Sequence, residues 1–127
     1  MSALVLDAGA LIGVDRGDRA VVALLASARY AGLPMRTNAN VVAQVWRNDR
    51  GRQANLARFL RSVDVRVVDE ATGRAAGVLL GATAGRDVVD ATVARLAEVG
   101  DQIMTSDRAD LAPLVDSLGR RVEIIDC

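Results

Sequence analysis

Asp7 directly follows the apolar run Leu4-Val5-Leu6, and Asp107 follows Ile103-Met104-Thr105-Ser106; a further carboxylate pair, Asp87 and Asp90, opens the segment just before that second run. Short apolar runs ending in Asp suit strands of a parallel sheet, and in open sheets of this kind ligands gather beyond the carboxyl ends of the strands. A helix returning antiparallel to such a strand brings its own N-terminus to the same edge. On that geometry Asp7, Asp90 and Asp107 converge without strain on the topology. Converging carboxylates repel one another unless a cation sits among them. Their hard oxygens favour Mg²⁺ or Mn²⁺ over softer metals. Ions of this type acidify water and neutralise charge on a phosphodiester. The plainer reading stands beside this one. Asp87-x-x-Asp90 and Asp107-x-x-Asp110 are also helix-start patterns, in which the first Asp caps and the second favours the positive helix end. The two are compatible, since Asp87 can cap while Asp90 ligates.

The chain contains no histidine and no lysine, so all 16 of its basic residues are arginine. Without imidazole there is no histidine general base and no histidine zinc ligand. Without an ammonium group, P-loop phosphate chemistry and Schiff-base chemistry are also excluded. Carboxylates, hydroxyls and guanidinium groups remain. The only cysteine, Cys127, excludes an internal disulfide framework and fits a reducing compartment.

The elements that would position these residues follow from periodicity. After the strand at 4–6, a helix is expected from about Ala10, and a second with Asp18 as its cap and Val21, Val22, Leu24, Leu25 and Ala28 on one face, stopped by Gly32 and Pro34. A short strand is expected over 34–37, then a helix capped by Asn38 or Asn40 running to Arg47, a loop over 48–51 and a helix over 53–61. The alternating segment 63–68 reads as an edge strand. Helices are expected over 69–83 and 87–99, a strand over 102–105, a helix over 107–118 and a last strand over 122–125. Strands separated by helices predict a mostly parallel sheet covered on both faces, an α/β architecture.

The length of 127 residues and the absence of a linker or repeat suggest one domain spanning 1–127. Hydrophobic residues make up 51% but aromatics only 2%, so the core must be filled by Val, Leu, Ile and Ala. Charges interrupt every apolar run before the roughly 20 residues needed to span a membrane. The N-terminal residues lack a basic leader pattern, so a cytoplasmic location is expected. A formal net charge of +0 gives no overall attraction to nucleic acid. Any such binding must rest on a local arginine patch.

Four segments together resemble the PIN-domain family, in particular the VapC-type toxin ribonucleases of type II toxin–antitoxin systems. They are Val5-Leu6-Asp7-Ala8-Gly9-Ala10-Leu11-Ile12, Val42-Ala43-Gln44-Val45-Trp46-Arg47, Asp87-Val88-Val89-Asp90-Ala91, and Thr105-Ser106-Asp107-Arg108-Ala109-Asp110-Leu111. They occur in the family's order and span nearly the whole chain. The resemblance implies a PIN-like three-layer α/β/α fold with a mostly parallel central sheet of about five strands. It also implies a Mg²⁺- or Mn²⁺-dependent endoribonuclease, commonly a homodimer, restrained by a cognate antitoxin. Asp7, Asp90 and Asp107 take the positions of catalytic and metal-ligating groups, with Asp87 and Asp110 as further candidates. Gln44 stands where the family carries Glu. An amide keeps the shape and a carbonyl oxygen but brings no charge and cannot act as a base, so slow cleavage, or a weakly catalytic module binding RNA or antitoxin, is the competing expectation. A receiver domain or haloacid-dehalogenase-type phosphatase fits less well, because both normally place a lysine near the acidic site.

Arginines cluster at Arg47, Arg50 and Arg52, with Arg58 and Arg61 beyond them, while Arg86 and Arg108 flank the acidic motifs. Arg86, Arg108 and Arg47 are the candidates for RNA phosphates, which guanidinium binds in a bidentate fork; a solvated or salt-bridged surface is the alternative for the rest. Trp46 suits a core position, a base stack or an interface. The apolar helices between Asp18 and Leu60 are the candidate surface for a second copy.

Overall fold

The computed structural model describes residues 2–47 and 51–127. Five strands, β1 (Leu4–Leu6), β2 (Met35–Asn38), β3 (Asp64–Arg66), β4 (Gln102–Thr105) and β5 (Glu123–Asp126), form one sheet in the order β3-β2-β1-β4-β5. All four pairings are parallel, with Leu4 opposite Met35 on one side and Gln102 on the other. Seven helices accompany it among the described residues: α1 (Ala8–Arg16), α2 (Arg19–Tyr30), α3 (Ala39–Val45), α4 (Ala54–Leu60), α5 (Glu70–Gly81), α6 (Val88–Leu96) and α7 (Arg108–Leu118). The expected α/β architecture is therefore present, with the sheet wholly parallel. Parallel strands covered on both sides should be uniformly apolar. Val5, Leu6, Ile103 and Met104, in the two central strands, are fully buried or nearly so.

The layers follow from which helix faces are apolar. α1 lies against β1 and β4 and carries α2, α3 and α4, while α6 lies against β1 and β2 and carries α5 and α7. Leu11, Leu56, Val93, Leu111 and Leu114 are the large side chains these helices bury. Among the described residues no helix is long and apolar enough to cross a membrane.

Short polar side chains set most of the helix starts. Asp18 accepts from the N–H groups of Ala20 (2.9 Å) and Val21 (3.1 Å), Asn38 from Val41 (3.1 Å), and Asp69 from Thr72 (2.9 Å). The helix expected over 87–99 ends earlier, at Leu96. Buried Asp101 accepts from the N–H of Glu98 (2.8 Å) and of Ala3 (2.8 Å), while Arg120 donates to the carbonyls of Arg95 (3.2 Å) and Ala97 (2.7 Å). These bonds draw the chain out of the helix and down to the start of β4. The edge strand expected over 63–68 is shorter, because only Asp64–Arg66 register against β2. The loop expected over 48–51 lies outside the described residues except for Gly51.

Candidate functional site

The strand order changes direction at β1. The chain proceeds outward to β2 and β3 on one side, then returns to lay β4 and β5 on the other. The crevice between the carboxyl ends of β1 and β4 is thus a topological switch point, where this class of sheet binds its ligands. Asp7 leaves β1 there and Asp107 leaves β4 there.

Asp7 is 5% exposed and caps α1 through the N–H of Ala8, 2.8 Å from Oδ1. Its Oδ2 accepts from Thr105 Oγ1 at 2.7 Å. The same Thr105 oxygen accepts from the backbone N–H of Asp107 at 3.0 Å. One fully buried hydroxyl therefore fastens the ends of the two central strands together. Thr105 was quoted in the sequence only as part of a motif; the signal was its place as the last residue of an apolar strand, where a polar side chain has no reason to be buried unless it has partners. Gly9 completes this junction. A Cβ on it would stand 2.5 Å from Ser106 Oγ and 3.0 Å from Ser106 N. Only glycine lets α1 approach the β4–α7 turn so closely.

Asp90 enters from α6. Asp87 caps that helix by accepting from the N–H of Asp90 at 3.0 Å, which fixes the first turn. Asp90 itself is 7% exposed, among the few buried carboxylates. Burial, and after it the charges of Asp87, Asp7, Asp107 and Asp110, push its pKa up to about 7. Asp107 begins α7 yet makes no side-chain capping bond, unlike Asp7 and Asp87. Its pKa is also raised, first by desolvation and then by a hydrogen bond and charge from Asp110, with smaller effects of Asp7 and Asp87.

Among the described residues, one carboxylate oxygen from each of Asp90, Asp107 and Asp110 lies within 4.8 Å of the others. Asp110, a further candidate in the sequence, thus stands within the compact group. Asp7 stands beside it, near enough for its charge to raise both Asp90 and Asp107. Three clustered carboxylates with two more close by, and no lysine or histidine in the chain to offset them, make a donor set of hard oxygens suited to a divalent cation.

The other candidates are distributed differently. Gln44 lies on the exposed side of α3, a helix that packs against both α1 and α6. Arg86 lines a groove of about 410 Å³ together with Asp87, Asp90 and Asp110. Arg108 donates to Asp126 Oδ1 (2.9 Å) and to the carbonyl of Ile124 (2.7 Å), so it ties α7 to β5. Arg47, just beyond α3, folds back on the end of that helix, donating to the carbonyls of Ala43 (3.1 Å) and Trp46 (2.8 Å). Arg50 lies outside the described residues. Trp46 is half-buried against the core. Gln53, read in the sequence only as a helix start, is buried. Its Oε1 accepts from the N–H of Arg47 (2.6 Å), and its Nε2 donates to the Val45 carbonyl (2.9 Å) and to Asp15 (3.2 Å).

No family model and no curated protein matches the sequence. Among solved structures, the chain is similar to one chain of the crystal structure of VapBC2 from Rickettsia felis bound to a DNA fragment from their promoter. The two superpose with a TM-score of 0.68 over 98% of this chain and 99% of that chain, at 11% sequence identity. At that identity the likeness is one of fold alone.

Proposed function

We propose that the chain is a divalent-metal-dependent endoribonuclease, the toxin member of a toxin–antitoxin pair. The observation that carries this reading is the convergence of Asp90, Asp107 and Asp110 at the switch point of the sheet, with Asp90 both buried and surrounded by like charge. A buried carboxylate crowded by four others is unfavourable on its own and becomes favourable around Mg²⁺ or Mn²⁺. When bound, such an ion supplies positive charge to a phosphodiester and makes water more acidic. The residues do the rest. Asp90, Asp107 and Asp110 hold the ion, Asp7 adds negative charge beside them from a position locked by Thr105, and Asp87 fixes the turn that presents Asp90. Arg86 meets the substrate's phosphates. Arg108 and Arg47 reach RNA only by giving up the contacts described above.

The test is cleavage of single-stranded RNA with Mn²⁺, with chelator, and with Asp107→Asn. Cleavage lost in the last two conditions supports the reading, and cleavage that persists with chelator overturns it. In this system the chain is a cytoplasmic homodimer and an antitoxin covers the site. Val22 and Tyr30, exposed on α2 at 46% and 95%, line one groove with Leu25 and Phe59 and support a face that associates with a partner.

A second reading is favoured by Gln44, which brings no charge to its position: a catalytically weak module that binds RNA or an antitoxin. Gln44→Glu separates the two. On the enzyme reading it raises Mg²⁺-dependent cleavage by roughly one to three orders of magnitude, about 1.4 kcal/mol for each. No cleavage by either form on any RNA favours the module.

A further inference from the structure

The groove beside the acidic cluster has a second character that cation binding does not explain. Two of the three clustered carboxylates, Asp90 and Asp110, line it together with Asp87, the 84–86 turn and residues of α7. Ala109 and Pro113, both exposed and one turn apart on α7, give it an apolar wall backed by the buried Leu114. Arg86 stands on the rim, exposed, and makes no ion pair among the described residues although acidic groups line the same groove. Gly85 lets the turn lie against this wall, since a Cβ there would meet Leu114 Cδ2 at 3.1 Å. Pro113 is placed inside α7. A proline there removes a helical hydrogen bond from the carbonyl four residues back, which is that of Ala109, at a cost of about 3 kcal/mol or more. Helix stability has been given up at Ala109 and Pro113, both of which line the groove. A cation alone would need neither the apolar wall nor the free guanidinium.

We propose that this groove seats the nucleotide next to the cleaved phosphodiester, with its base flat against the Ala109–Pro113 wall and an adjoining phosphate on Arg86. The inference rests on the ribonuclease reading of the cluster and adds to it the place where one base sits and the groups that hold it. An apolar wall of this kind takes the face of a base that has left its neighbours, and a base held in a duplex does not present that face. The volume of about 410 Å³ lies within the range of sites that enclose small ligands. Arg86 contributes position without sequence information, as phosphate contacts do.

The experiment uses the full chain as Asp90→Asn, which removes one charge from the cluster and stops cleavage, with short single-stranded RNAs carrying 2-aminopurine at successive positions. The fluorophore is quenched by neighbouring bases, so it brightens when it leaves their stack for a groove without aromatic residues. The expected result is a several-fold rise at one position only. An abasic site at that position weakens binding about 5- to 50-fold while abasic sites elsewhere leave it unchanged. Arg86→Ala weakens binding of all the RNAs about tenfold and lowers the salt slope by about 0.7. Ala109→Phe, which fills the groove, removes the fluorescence rise. The abasic series alters only the RNA, so it decides the matter even if Ala109→Phe does not fold. Equal brightening at every position, or abasic sites without effect, overturns the groove assignment. Its failure is distinguishable from failure of the ribonuclease reading. If the unmodified chain cleaves RNA with Mn²⁺ but the abasic series is flat, only the groove is wrong; if neither it nor Gln44→Glu cleaves any RNA, the ribonuclease reading falls.

Discussion

At the scale of single residues, Thr105 and Asp90 carry opposite burdens. Thr105 satisfies two polar groups at once, the Asp7 carboxylate and the Asp107 N–H. Thr105→Val keeps the shape and leaves both without that partner. The expected loss is about 1–3 kcal/mol per unsatisfied buried group, read as a lower urea midpoint at unchanged slope. Asp90 works the other way. Its folded pKa of about 7 lies above the value of about 4 for an unfolded aspartate. Between those values the folded chain keeps a proton that the unfolded chain releases. This contribution is complete below about pH 4 and is lost as pH rises through about 7. The metal-free chain should therefore melt lower at pH 8 than at pH 5.5, and Asp90→Asn should flatten that difference. Asp107 shifts in the same direction. Asp7, Asp90 and Asp107 were legible in the sequence because strand ends and helix starts are marked by type and spacing. The buried hydroxyl of Thr105 and the buried amide of Gln53 were harder to read, since one partner of each, Asp7 and Asp15, lies 98 and 38 residues away in the chain.

At the scale of elements, the site depends on how closely α1 meets the β4–α7 turn. Gly9→Ala places a methyl against Ser106, including its backbone nitrogen at 3.0 Å. The turn that carries Asp107 must then move. We expect a stability loss of about 1–3 kcal/mol, typical of overpacking, together with weaker Mn²⁺ binding. Ser106→Gly in the same chain should restore part of the stability, because it removes the side-chain contacts and leaves the backbone one. Failure of that second change to restore anything would place the strain elsewhere. Element order and type were readable from periodicity throughout, but their ends were less so. α6 stops at Leu96 because Asp101 and Arg120 compete for the chain beyond it, a tertiary effect absent from any local window. The first helix begins at Ala8, two residues before its apolar pattern, because Asp7 supplies the cap. A side chain that both caps a helix and borders a charged cluster has no separate signature for each role.

At the scale of the whole molecule, the strand order β3-β2-β1-β4-β5 creates the crevice, and no local pattern encodes it. The alternation of elements implied a parallel sheet, but not which strands are neighbours. The partner surface is a second property at this scale. The α2 face with Val22 and Tyr30 exposed predicts a dimer mass by light scattering at tens of micromolar without antitoxin; a monomer mass there removes that surface as the partner face. The central claim is that the carboxylates at the crevice hold a divalent cation. Its most direct measurement is the melting temperature at pH 7.5 with and without millimolar Mn²⁺, for the unmodified chain and for Asp90→Asn combined with Asp107→Asn. A cation that binds only the folded site stabilises it by about 2.7 kcal/mol at a hundredfold excess over its dissociation constant, or several degrees for a chain of this size. That rise is expected in the unmodified chain and none in the double variant. An equal melting temperature with and without Mn²⁺ in the unmodified chain, or an equal rise in both chains, would contradict it.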